Sequence, residues 1–299
     1  MTKHYDTLVI GHTSQDYNID YQNNLIKEIG GAVFYSSASA YASGYKVGII
    51  TTLNEKDKER LQGFLINPND VYCTFGNKST SIRNQYFTAD KEKRKCTCIS
   101  QGDQITIANI PDDIESNIYH LAGLIYGDFS EDLIEKLAKK GKVAVDVQGY
   151  LRHANGDNSE MYFEDWLDKK KLLPYITYFK TDAAEAEILT GNSDRYEAIK
   201  ILYSWGAKEV VITHNTEVIA YDGTTLASCP IRARSLVGRS GRGDTTFASY
   251  ITERQNASVK DALLWATATV SSKMENAGAY KGNRKDIQNY IDTFYSDIK

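Results

Sequence analysis

No run of the chain approaches the roughly 18 uninterrupted apolar residues of a membrane span. No apolar signal core precedes the first strand-like segment, Thr7-Leu8-Val9-Ile10. Both absences read as a cytoplasmic chain with no membrane partner. Cysteine is scarce: Cys73, Cys96, Cys98 and Cys229 are the only four in 299 residues, too few and too scattered for a disulfide framework. Cys96 and Cys98 would share one face of a strand, but no second pair or nearby histidine completes a zinc site, so they read as small hydrophobes. A basic face or stripe is missing too, and a net charge of −4 argues against nucleic acid as the main partner. Three motif absences narrow the enzyme classes. Gly76-Asn77-Lys78-Ser79-Thr80 lacks the Gly-Lys step of a P-loop. Only Gly11 follows the first strand, so there is no dinucleotide fingerprint. Gly238-Arg239-Ser240-Gly241-Arg242 does not form a Gly-x-Ser-x-Gly hydrolase elbow. No internal repeat or low-complexity linker divides the chain.

What is present supports one large core: 41% of the residues are hydrophobic and 25% charged. From Asn117 onward, apolar strands at Tyr119–Ile125, Val143–Val147, Tyr175–Phe179 and Val210–Thr213 alternate with amphipathic helices at Ser130–Lys140 and Asp194–Trp205. That alternation predicts a mainly parallel sheet covered on both faces. Near the N-terminus, Gly30-Gly31 opens a helix of small and aromatic residues that Gly44 closes, and Val47–Thr52 follows as a buried strand. Ser81–Phe87 and Cys96–Ile99 flank the charged turn Asp90–Lys95 and predict a hairpin. The segment His12–Asp20 is polar and reads as a loop at the carboxyl edge of the sheet.

The densest chemistry lies at Gly238-Arg239-Ser240-Gly241-Arg242-Gly243-Asp244, directly before the helical run Thr245–Ile251. A glycine-rich loop entering a helix presents unpaired N–H groups at the positive end of the helix dipole, a ready site for an anion such as phosphate. Asp244 would repel that phosphate unless it has another task, and accepting a proton from an attacking hydroxyl is one. Taken alone, the same residue could equally be a helix N-cap. His214 has no adjacent nucleophile and reads as a turn residue.

These residues resemble the signature of the ribokinase-like carbohydrate kinases (the PfkB family), whose Gly-Ala-Gly-Asp core stands here as Gly241-Arg242-Gly243-Asp244. The likeness spans nearly the whole chain, with ordered matches at Asp16, Gly30-Gly31, Asp182 to Glu185, and Thr213. It implies a three-layer α/β/α sandwich with a mainly parallel central sheet, plus a small β lid built from segments around 12–30 and 79–108, in one unit over 1–299. It also implies the division of labour. Asp244 is the base, with Gly241, Arg242 and Gly243 as anion hole; Asp16, Gly30, Gly31 and Tyr35 meet the substrate; Asp182, Thr213, Asn215, Arg239, Ser240 and Gly278 meet the nucleotide. Glu185 and Asp182 position magnesium. Tyr35 stands where many members carry Asn, Asp182 and Asn215 replace Asn and Gly, and the stretch Asp146–Arg152 resembles an Asp-Pro-Asn-x-Arg element without its Pro and Asn. Gly238 stands where the signature places a potassium-binding Asp; together with the charges of Arg239 and Arg242, this predicts activity largely independent of potassium.

The expected function is an ATP- and Mg2+-dependent kinase acting on a hydroxyl of a small-molecule sugar or polyol, with a homodimer through the lid as the partner the resemblance allows. Two alternatives remain open: a nucleoside kinase of the same fold, and a non-catalytic sugar or nucleotide sensor descended from it. The drifted positions favour the sensor, while Asp244 and Glu185 oppose it.

Overall fold

Strand residues in this chain alternate between two apolar environments. Leu8 and Ile10 point into a core that also holds Leu133, Leu137, Ile199 and Leu202. Val9 and Ile49 point the other way, among Ala32, Val33 and Ala248. A strand that is apolar on both faces must lie inside a sheet covered on both sides. The computed structural model, which describes residues 2–88 and 93–298, shows that sheet.

Its nine strands run, from one edge to the other, Leu226–Pro230, Glu217–Tyr221, Glu209–Thr213, Tyr178–Asp182, Lys142–Asp146, Ile114–Leu121, Lys3–Ile10, Val47–Asn54 and Val71–Gly76. All neighbours pair in parallel except at the first edge, where Glu217–Tyr221 runs antiparallel to both Glu209–Thr213 and Leu226–Pro230. Helices Leu133–Ala138, Ala183–Thr190 and Arg195–Ser204 supply one covering layer. Helices Arg242–Glu253, Val259–Met274 and Arg284–Phe294 pack on the opposite face, where Phe247, Leu263 and Ile287 meet Ala144, Tyr178 and Val211 of the sheet. The helix Ala32–Ala42 joins that side against Arg242–Glu253. The three-layer expectation holds. Among the described residues no helix is long and apolar enough to cross a membrane.

A second sheet of six strands forms the lid, in the order Arg152–Ala154, Ser159–Phe163, Arg94–Ser100, Thr80–Tyr86, Ser14–Ile19 and Leu25–Gly30. The expected hairpin is present, with Thr80–Tyr86 antiparallel to Arg94–Ser100; within its charged turn, residues 90–92 lie outside the described residues. Two expectations need correction. Ser14–Ile19 is a strand rather than a loop, paired with both Leu25–Gly30 and Thr80–Tyr86. The lid also takes a third segment, 152–163, which pairs through Ser159 and Glu160 with Cys98 and Thr97.

Strand limits shift for local reasons. Leu173-Pro174-Tyr175 forms a 3-10 turn with Pro at its start, so the strand expected at Tyr175 begins at Tyr178 and carries on to Asp182. The strand expected to reach Ile125 stops at Leu121, because Asp128 turns the chain by accepting the N–H groups of Leu124 and Ile125 at 2.8 and 3.0 Å. Asp146, Asp182 and Thr213 all fall at the carboxyl ends of parallel strands, the edge where open α/β sheets gather ligands.

Candidate active site

The glycine-rich loop enters its helix through Gly241, whose φ of 73° is left-handed. A side chain there would be strained, and a Cβ would stand 2.1 Å from a ring carbon of Tyr35. The ring of Tyr35 therefore backs the loop. Helix Arg242–Glu253 begins at once, and no side chain caps it. Asp244 is thus not the N-cap that its position allowed; it sits in the first turn and lines a cavity of about 490 Å³ between the sheet edge and the lid. Burial raises its carboxyl to about 6, helped by Asp146 and opposed by Lys180, Arg152 and Lys273. A carboxylate with that value is ionised at neutral pH and still basic enough to take a hydroxyl proton.

One end of the cavity gathers cations. Arg242 and Arg239 both donate to Asn215 Oδ1, at 2.6 and 3.4 Å, so the turn after Thr213 and the glycine loop are tied together. Lys180 reaches the same place from the neighbouring strand. It pairs in register with Asp146, and its Nζ lies 3.1 Å from that carboxylate and 3.8 Å from Glu185. A Cβ on Gly243 would come within 3.0 Å of this ammonium, so the absence of a side chain at 243 lets the lysine reach the anion-binding turn. Although burial disfavours its charge, the surrounding Asp146, Glu185, Asp182 and Asp244 hold the Lys180 pKa above the usual lysine value.

Asp182 and Glu185 cap their helix reciprocally: Asp182 Oδ1 accepts the Glu185 N–H at 2.8 Å, and Glu185 Oε2 accepts the Asp182 N–H at 2.7 Å. Burial pushes the Glu185 carboxyl up to about 8 against the pull of Lys180. Among the described residues no group of three or more His, Cys, Asp or Glu side chains could hold a metal ion by itself. Of the capping pair, Asp182 lines the cavity, and a single carboxylate there fits a magnesium ion carried on phosphate oxygens and waters rather than one held in a cage of protein ligands.

The other end of the cavity belongs to the lid. Asp16 lies on its strand Ser14–Ile19, and Ser14 Oγ donates to Asp16 Oδ1 at 2.6 Å. Burial raises this carboxyl too, to about 6, with Glu28 adding to the shift and Arg94 and Arg152 opposing it. Gly30 stands behind Asp16, where a Cβ would meet the carboxylate at 2.3 Å, and Gly31 lines the cavity beside Tyr35. Asn84, Arg94, Gln148 and Arg152 complete a polar wall.

Of the residues singled out in the sequence, Asp16, Gly31, Tyr35, Asp182, Thr213, Asn215 and the whole stretch Arg239–Asp244 line this one cavity. Gly30 and Glu185 stand one layer behind it. Gly278 lies outside its lining, in the turn after helix Val259–Met274, with open space around it. His214 sits in its turn, with Nδ1 3.0 Å from Thr216 Oγ1. Sequence reasoning assigned no role to Lys180 or Lys273, and met Gln148 and Arg152 only within the partial Asp-Pro-Asn-x-Arg match and Arg94 only within the charged turn. For Lys180 a signal existed: a charged residue inside the apolar strand run Tyr178-Phe179-Lys180-Thr181. A groove of about 710 Å³ around His4, Asn117 and Lys142 lies at the opposite, amino-terminal edge of the strands.

A glycine-rich loop opening a helix, a buried carboxylate beside it and a β lid over both are arranged as in a kinase of the ribokinase-like fold. The pfkB family carbohydrate kinase model matches residues 76–286, and the chain belongs to that family. A solved pyrophosphate-dependent kinase of the ribokinase family, complexed with a pyrophosphate analog and myo-inositol, is 33% identical, with a TM-score of 0.84 over 95% of this chain and 99% of that one. Cytidine kinase of Thermococcus kodakarensis is 27% identical over 259 residues, covering 82% of this chain and 87% of that protein. Ribokinase of Arabidopsis thaliana, complexed with ribose and ATP, shares the fold at 15% identity, with a TM-score of 0.71 over 97% and 99% of the two chains.

Proposed function

We propose that the chain transfers a phosphoryl group from pyrophosphate to a hydroxyl of a cyclic polyol of the inositol type. The observation that carries this reading is the composition of the donor end. Lys180, Arg239 and Arg242 surround the loop, and among the described residues lining the cavity beside them Thr213, Asn215 and Ala184 offer little apolar face. A compact, highly charged donor suits such a lining. The adenine of ATP, the donor expected from the family resemblance, would want apolar faces, and Gly278 lies away from the cavity. The 33% identical pyrophosphate-dependent kinase supports the same choice.

The acceptor end is lined by groups that hydrogen-bond hydroxyls. Asp16 offers carboxylate oxygens, while Asn84, Gln148, Arg94 and Arg152 offer N–H donors. In the reaction, the Asp244 carboxylate takes the proton of the acceptor hydroxyl as its oxygen attacks phosphorus. The bridging P–O bond breaks, and its electron pair leaves with orthophosphate. Backbone N–H groups at the start of helix Arg242–Glu253, with Lys180 and the two arginines, hold the charge in transit. Magnesium, when bound with the donor, supplies further neutralisation, with Asp182 as its nearest candidate ligand. A sensor would have no use for a carboxylate raised to about 6 in contact with an anion site.

The deciding assay measures acceptor-dependent product formation with pyrophosphate or ATP, over a panel of inositols, sugars and nucleosides. Turnover with pyrophosphate and an inositol, at least about 100-fold above that with ATP, is expected. Preference for ATP would remove the donor assignment, and preference for cytidine would return the acceptor to the nucleoside class.

A further inference from the structure

Helix Val259–Met274 ends beneath the glycine-rich loop, and its last turn places Lys273 there, 1% exposed. Burying an ammonium is costly unless its hydrogen bonds are met. The transfer chemistry described above makes no use of this group. Lys273 Nζ donates to Gly238 O at 2.6 Å and also to Ser240 O. It stands 5.0 Å from the centre of the Tyr35 ring, the same ring that backs Gly241. Asp244 and Glu28 favour its charge, while burial, the larger effect, draws it down to about 8.

The loop is packed tightly around this contact. Gly238 N donates to Met274 O at 2.8 Å, and a Cβ at 238 would lie 1.8 Å from Asn276 O. There is no room at 238 for the side chain that the family signature carries. The described residues contain no cis peptide, and in a trans peptide the C=O of one residue and the N–H of the next point in opposite directions. With the carbonyls of Gly238 and Ser240 turned to Lys273, the N–H groups of Arg239 and Gly241 are turned away from it. Arg239, Ser240 and Gly241 all line the cavity.

The geometry points to Lys273 as a positioning residue: a tethered cation that gathers two carbonyls of the donor loop and so aims the next two peptide N–H groups at the bound anion. The inference rests on the proposed reading of this loop as the donor-phosphate site. Removing Lys273 leaves two carbonyls facing a buried gap, so the loop rotates away from its anion-binding arrangement. The loss falls on the donor, while the Asp16 end keeps its acceptor contacts.

The test compares the native chain with Lys273→Ala and Lys273→Gln. Circular dichroism checks folding, titration calorimetry measures pyrophosphate and ATP binding, and steady-state rates are taken with each donor. Both variants are expected to lose roughly tenfold or more in donor kcat/KM, with the acceptor KM nearly unchanged. Added ammonium or methylammonium should restore several-fold activity to Lys273→Ala, tetramethylammonium at equal ionic strength should not, and the native chain should not respond. A folded variant with unchanged donor kcat/KM overturns the inference. So does a loss that no small cation relieves, or equal stimulation of the native chain. If Lys273→Ala does not fold, Lys273→Gln decides: it keeps N–H donors on a side chain one atom shorter but not the charge, and an unaltered donor kcat/KM there is a refutation. A native chain that binds neither pyrophosphate nor ATP overturns the donor-site reading and this one together. Native binding with unchanged variants overturns this one alone.

Discussion

Replacing Asp244 by Asn keeps the shape of the side chain and removes its ability to take a proton. The carboxyl's value of about 6 sets the expected profile. At pH 7.5 about 97% of the native chain carries the carboxylate, and at pH 5 only about one tenth does. Because the basic form is the active one, native kcat should be flat above pH 7 and fall about tenfold per unit below 6. The Asn variant should lose roughly 100-fold to 10,000-fold in kcat, the scale of a general base, and its residual rate should lack that acid limb. Its donor KM should hold or fall, since a negative charge has left the neighbourhood of Lys180 and Lys273. The raised Asp244 carboxyl also bears on stability. A carboxyl whose folded value lies above its unfolded one makes the folded state hold its proton longer, so stability falls as pH rises from about 4 to 6 and that loss persists at neutral pH. The Asn variant has no such loss and should melt at the native temperature or higher. Asp16 also sits at about 6, so an acid limb alone does not identify the base. Its titration belongs in the acceptor KM, and that of Asp244 in kcat. An Asn variant that keeps its rate, or keeps the acid limb in kcat, refutes the role assigned to Asp244.

Asp16→Ala should raise the acceptor KM by roughly tenfold to 100-fold, matching about 1.5 to 3 kcal/mol for hydrogen bonds to a charged group, and leave pyrophosphate affinity alone; calorimetry showing the reverse would place the acceptor elsewhere. Gly241→Ala must carry a Cβ at φ 73° and 2.1 Å from the Tyr35 ring. The backbone conformation alone costs about 1 to 2 kcal/mol, so thermal unfolding should shift down by about 2 °C or more, with donor kcat/KM falling by roughly tenfold or more. A variant with native melting and native donor kinetics would show that Tyr35 does not shape the loop.

How much of this site was legible follows from how each residue type signals itself. Gly241-Arg242-Gly243-Asp244 could be read because glycines before a helix start are unusual and their backbone chemistry is local. The parallel sheet could be read because Val210-Val211-Ile212 and Leu8-Val9-Ile10 are apolar on both faces. The strand Ser14–Ile19 was hidden because the lid's strands are not buried that way. Asp16, Asn18 and Asn84 are polar on strands because they meet each other, Glu28 or the cavity: Asn84 donates to Asn18 Oδ1 at 2.9 Å, and Asn18 donates to Glu28 at 2.9 Å. Their alternation therefore lacks the apolar half of the usual pattern.

The other cations of the site were hidden for a different reason. Arg239 and Arg242 were legible in the glycine-rich loop and at the start of its helix, whereas Lys180 lies on one strand, Arg152 on a lid strand and Lys273 at the end of a helix. In the chain each looks like an ordinary charge, and Lys273 in particular reads as a basic residue complementing a helix C-terminus. Their meaning comes from being brought against Asp146, Glu185 and Asp244. Burial alone would protonate the acids and neutralise the lysines. Set against these carboxyl groups, Lys180 keeps its charge in a half-closed cavity, and the Asp244 carboxyl is left at about 6 rather than higher. On the proposed reading, a donor anion arriving at the loop meets fixed positive charge that is already paired and oriented, so little reorganisation would accompany transfer.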